Sequence, residues 1–101
     1  MHIVETIDRT ELPSAAQAAP MQLIETDGLR ALLLSLAAGQ SVGPCEMPTT
    51  VLYYVIKGQG YLRVGDEQTD IRDGSLAMVP SGAVRCVSAA EPMRVLIVQV
   101  L

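Results

Sequence analysis

Histidine is almost missing from this chain: among 101 residues there is one, His2. A metal centre built from several imidazoles within one subunit is excluded by that count, because such centres need N and O donors converging on one point. His2 itself stands at the chain start, where side chains are usually solvated and loosely held. Cysteine is nearly as scarce. Two residues, Cys45 and Cys86, do not make the disulfide framework of a small secreted domain, and they count as thiols. Basic clusters are absent too. The net charge is −4, with the acids scattered along the chain, which argues against a nucleic-acid partner. No apolar run is long enough to span a bilayer, so no membrane partner is expected. The opening MHIVETIDRTE lacks a basic segment followed by an apolar stretch. No signal peptide is expected, and a cytoplasmic location follows by default.

What the chain has in quantity is apolar side chains, 50% of all residues. That is ample for one core in a single domain of this length. It is also more than one small interior hides, so part of it is expected to cover a subunit interface, most simply in a homodimer. Strands such as MRVLIVQVL, apolar on both faces, point the same way. The periodicity is that of strands. HIVETI and MQLIET alternate, and Asp27-Gly28 is a hairpin signal leading to LRALLLSL. VLYYVIKG, GYLRVG, EQTDIR, SLAMVP, AVRCVSA and MRVLIVQVL follow. They are separated by turn signals at Gly58 to Gly60, Gly65-Asp66, Asp73-Gly74, Ser81-Gly82 and Glu91-Pro92. Short strands at this spacing predict an all-β sandwich or barrel. PSAAQAAP, bounded by Pro13 and Pro20, reads as a surface loop or a fragment of helix.

Two glycine-punctuated frames carry more specific information. The first runs Gly39, five residues, Cys45, one residue, Met47, three residues, Val51, six residues, Gly58. The second runs Gly74, five residues, Pro80, one residue, Gly82, two residues, Arg85, three residues, Ala89. These spacings resemble the two motifs of the cupin superfamily, small conserved barrels of the cupin 2 type. In that family two His and a Glu from the first motif and a His from the second hold a metal. In this chain those positions are Cys45, Met47, Val51 and Arg85, and the family's Asn position is Ala89. The resemblance covers Leu29 to the C-terminus and implies a cupin barrel, that is, a double-stranded β-helix or jelly roll. Residues 1–101 are then one domain, with 1–28 as lead-in strands and loop and 29–101 as the barrel. An N-terminal strand exchanged between subunits is compatible with the lead-in.

The replaced positions leave three readings open. Cys45, Met47 and Val51 are simple apolar filler, since free Cys packs as a small hydrophobe and Met fills gaps. Alternatively, the pocket is kept and takes a small anionic molecule without a metal. Placed by the frame, Arg85 points into the barrel, where a guanidinium needs an acceptor and a carboxylate or phosphate supplies one. Val51, Tyr53 and Val55 share a strand face, so Tyr53 is expected beside that pocket and Tyr54 away from it. Arg63 stands towards the rim, its direction open. Finally, Cys45 and Met47, with Cys86 only if a bulge turns it inward, make a soft, copper-type site or a thiol-based enzyme. Cys86 follows Arg85 directly and should face the other way. The favoured expectation is a non-catalytic domain that binds a small anion or serves as a structural module, with no cofactor. Its ligand-binding candidates are Cys45, Met47, Val51, Tyr53 and Arg85.

Overall fold

The computed structural model describes residues 20–101. The expected HIVETI strand, His2, and all but the last residue of PSAAQAAP lie outside them. Nine strands follow in order: β1 (Met21–Glu25), β2 (Leu29–Leu36), β3 (Ser41–Glu46), β4 (Thr50–Lys57), β5 (Gln59–Val64), β6 (Glu67–Arg72), β7 (Leu76–Val79), β8 (Val84–Ala89) and β9 (Met93–Val100). They form two antiparallel sheets, one in the order β1-β2-β9-β4-β7 and one in the order β3-β8-β5-β6. Among the described residues there is no helix long and apolar enough to cross a membrane. LRALLLSL, whose composition suits a helix, is a strand because it pairs residue for residue with β9, from Leu29↔Val100 to Leu36↔Met93.

The turn signals fall where the chain reverses. In the β1–β2 hairpin the Thr26 amide donates to the Leu29 carbonyl at 2.8 Å. Gly65 and Gly82 take φ values of 58° and 81°, in the left-handed region that glycine enters freely. β3 is a strand the sequence hid. Its SVGPCE contains a glycine and a proline, residues that weaken a strand pattern, and its pairing with β8 is interrupted between Val42 and Cys45. β1, left in the lead-in by the resemblance, is an edge strand of the five-stranded sheet. Gly60 is required for its missing side chain rather than for its backbone angle. Its φ is not positive, and what demands glycine is proximity, since a Cβ there would land on the Ser88 carbonyl oxygen of β8. Gly58 needs both its φ of 108° and its missing side chain, because the Pro92 carbonyl lies against it.

The two sheets close on one core. Leu34, Val51, Tyr53, Val55, Val95 and Ile97 come from the five-stranded sheet, and Leu62, Ile71, Val87 and Ala89 from the four-stranded one. Alternation fixes which residues these are, because successive side chains of a strand point to opposite faces. In β9 the inward set is Met93, Val95, Ile97 and Gln99. Gln99 is the polar member, buried and accepting a 3.3 Å hydrogen bond from Arg30 Nη1. Arg30 also pairs with Glu25 at 3.2 Å.

Candidate functional site

Among the described residues, Arg85 is the largest side chain that is completely buried, at 1% exposure. Its direction follows from β8, where Arg85, Val87 and Ala89 occupy the inward parity and Val84, Cys86 and Ser88 the outward one. The β7–β8 turn supplies its first acceptors. Arg85 Nε donates to the Ala83 carbonyl at 2.9 Å and Nη2 to the Pro80 carbonyl at 3.1 Å. Across the barrel, Nη1 donates to the Tyr53 hydroxyl at 3.4 Å. The turn is itself held to the first frame, since the Gly82 amide donates to the Met47 carbonyl at 2.9 Å.

These partners are neutral. Among the described residues no carboxylate lies within ion-pair distance of Arg85; the ion pair they contain is Arg30 with Glu25. A guanidinium carries five N–H donors, of which three bonds to protein are made here. Burial of an uncompensated cation is costly, and an acceptor of opposite charge relieves that cost. Tyr53 adds a second donor to the same place. Arg85 donates to its oxygen, so the Tyr53 O–H is left to point onward. Burial pushes the Tyr53 hydroxyl above the ordinary tyrosine value, Arg85 offsets part of that rise, and the neighbouring Cys45, when ionised, adds to it. The phenol therefore remains a neutral donor throughout the physiological range.

The five candidates fall into two groups. Arg85 and Tyr53 meet inside the barrel, and Cys45 sits opposite Arg85 in the β3–β8 register. Val51, at the inward parity of β4, is buried core with no donor to offer. Met47 packs against that core. Cys45 is exposed, so the filler reading describes Val51 and Met47 but not Cys45, which the irregular stretch of β3 leaves at the surface. Tyr54 faces outward, as its parity requires. Cys86 lies on the face opposite Arg85, within reach of the Ser88 hydroxyl at 3.9 Å. Arg63, expected towards the rim, turns away from the barrel. It is paired with Cys86 on the outer face, and its Nε donates to the Gly65 carbonyl. The sequence contained that answer, for Arg63 follows Leu62, an inward residue. Gln99 and Arg30 escaped the motif reading because they belong to neither frame; the alternation of β9 was the signal for Gln99.

The donor set does not fit a metal ion of the kind the fold is built around. Where the frames call for three imidazoles and a carboxylate, they hold a thiol, a thioether, an aliphatic group and a permanent cation. A guanidinium repels a metal ion and offers no lone pair to it. The described residues contain no group of three or more His, Cys, Asp or Glu arranged to hold one.

The sequence model of the Cupin_2 family, described as cupin domain, matches residues 32–99. No curated protein matches the chain. Among solved structures, the chain is similar to a cupin superfamily protein of Desulfitobacterium hafniense DCB-2, at 22% identity over 94% of this chain and 86% of that one, with a TM-score of 0.83. It is similar to a protein of Thermus thermophilus at 23% identity, covering 99% and 97% of the two chains, with a TM-score of 0.86. An uncharacterized conserved protein with a double-stranded beta-helix domain from Klebsiella pneumoniae aligns at 20% identity over 96% of this chain and 88% of the other, with a TM-score of 0.87.

Proposed function

The chain belongs to the cupin family, and we propose that it uses the barrel to hold a small organic anion at Arg85 and Tyr53, without catalysis. The observation that carries this reading is the charge balance of the interior. Arg85 is sealed from water, cannot lose its proton, and is met by two carbonyls and a phenol. A carboxylate or phosphate oxygen arriving beside it takes a charge-assisted bond from the guanidinium and a second from the Tyr53 hydroxyl. The β7–β8 turn already fixes the guanidinium plane, so little side-chain entropy is lost when the anion docks.

The test is thermal unfolding with acetate, pyruvate and inorganic phosphate in parallel, on the natural chain and on Arg85→Met. Methionine keeps much of the volume and removes the charge. The expected result is a concentration-dependent rise in Tm for at least one anion, lost in R85M. Equal responses in both proteins would overturn the reading. No response in either would leave Arg85 as a strut between the β7–β8 turn and β4, and the domain as a structural module.

The same reading includes a homodimer formed through the outer face of the five-stranded sheet. Two cross-strand rows there are apolar, Leu76–Tyr54–Leu96–Leu33 and Met78–Leu52–Val98–Ala31. Burial falls off towards β7, where Leu76 and Met78 are 68% and 67% exposed. A patch of this kind with no charge in either row suits a second copy of itself better than a charged partner. A monomer by gel filtration with light scattering at micromolar concentration would rule it out. A cytoplasmic site of action, where thiols stay reduced, is part of the same proposal.

A further inference from the structure

The outer face of the four-stranded sheet carries a groove of about 420 Å³; Arg85 is among its lining residues, although its guanidinium bonds inward, to Tyr53 and to the β7–β8 turn. It arises from a size difference between neighbouring strands. β8 presents the small side chains Cys86 and Ser88 outward, while β5 raises Tyr61 and Arg63 beside them and Pro44 closes the β3 side. The volume lies within the range of small-molecule sites.

We propose that this groove is a second binding site, for a planar organic anion such as an aromatic carboxylate. Three observations support that class. First, no residue lining the groove is acidic, and Arg63 stands at its wall, in a chain whose net charge is −4. Asp70 of β6, on the same sheet face, lies outside the lining. Second, Arg63 is preorganised. Its Nε donates to the Gly65 carbonyl at 3.1 Å, which fixes the guanidinium plane and leaves both terminal nitrogens without a partner among the described residues. That fork matches the two oxygens of a carboxylate. Third, the rest of the lining divides by character. The Tyr61 ring, 40% exposed, and Val84 offer apolar surface for a flat body, and Ser88 and Gln68 offer further donors at the edge.

Arg63 and Arg85 leave the sheet on opposite faces, so Arg85 borders the groove at its strand position while its guanidinium stays with the barrel interior. It is tested by ¹⁵N–¹H NMR titration of the full chain with benzoate, using benzamide as the uncharged isostere. Benzoate is expected to shift the amides of Tyr61, Arg63, Cys86 and Ser88 saturably, with a Kd on the order of 1 mM. Benzamide is expected to bind at least about tenfold more weakly, the worth of one charge-assisted hydrogen bond. Arg63→Gln is expected to abolish the benzoate shifts, and Arg85→Met to leave them in place. Equal binding of benzamide, survival of the shifts in R63Q, or their absence at saturating benzoate would each overturn the proposal. Shifts lost in R85M and kept in R63Q would assign the anion to the interior and overturn the groove while sparing the first site.

Discussion

The two sheets treat their outer faces differently. The five-stranded sheet is apolar on both sides: Leu34, Val95 and Val55 point inward, and Leu76, Met78, Tyr54 and Leu96 point outward. The four-stranded sheet is apolar only inside, and its outer face carries Tyr61, Arg63, Gln68, Cys86 and Ser88. One core needs one apolar face from each sheet. The second apolar face is covered at Leu33 and Ala31 and open at Leu76 and Met78, and that open end is where the proposed dimer would form. The inner face of the four-stranded sheet has a buried exception to its own rule. Arg85 occupies a position that Val87 and Ala89 mark as apolar, and its buried charge is what motivates the proposed anion.

The sharpest way to break this comparison is to truncate a leucine on each side of the five-stranded sheet. Leu34→Ala opens a void in the inner core and is expected to cost about 3 kcal/mol in urea unfolding. Leu76→Ala removes a side chain that is mostly in water and should stay within about 0.5 kcal/mol for the isolated subunit. Comparable losses at low protein concentration would mean that the outer face is already covered within one chain. Met78→Glu addresses the same face at the level of assembly. Each copy then carries a carboxylate into the interface, and light scattering is expected to report monomer with the β-sheet circular dichroism unchanged. A dimer that survives the substitution would place the interface elsewhere.

The interior polar pair gives a smaller expected effect than the core leucine. Tyr53→Phe deletes one acceptor of Arg85 and should cost about 1 kcal/mol at neutral pH. It should also change the alkaline limb of stability. The folded hydroxyl keeps its proton to higher pH than the unfolded one, chiefly because it is buried. The extra stability is whole below about pH 10 and is lost as pH rises through the folded value. Urea midpoints measured between pH 9 and 11 should therefore fall less steeply in Y53F than in the natural chain; equal slopes would show that Tyr53 does not set the alkaline limb.

Most strands were legible because period-two alternation and turn chemistry are local. Asp27-Gly28, Gly65-Asp66 and Ser81-Gly82 reverse the chain wherever their neighbours sit. β3 was not legible. Gly43 and Pro44 erase the local pattern, and the segment is a strand because β8 offers it a partner. In the candidate site, the frames and strand parity put Arg85 inside and Cys86 outside. They were silent on what Arg85 would touch, since the Ala83 and Pro80 carbonyls come from the path of a turn, a matter of backbone geometry. Cys45 belongs to the same class, exposed by an irregularity in its strand.

The sequence by itself determined the cupin scaffold, the absence of its imidazoles and carboxylate, and the face that residues of the regular strands take. Those depend on residue identity, on spacing and on an alternation that every strand obeys. Only the tertiary structure decided that Arg85 is sealed against neutral partners, that a groove lies beside Arg63, and that apolar side chains gather on the outer face of one sheet. Each of these is set by which strands become neighbours, and strand order is fixed by the summed packing of the whole chain.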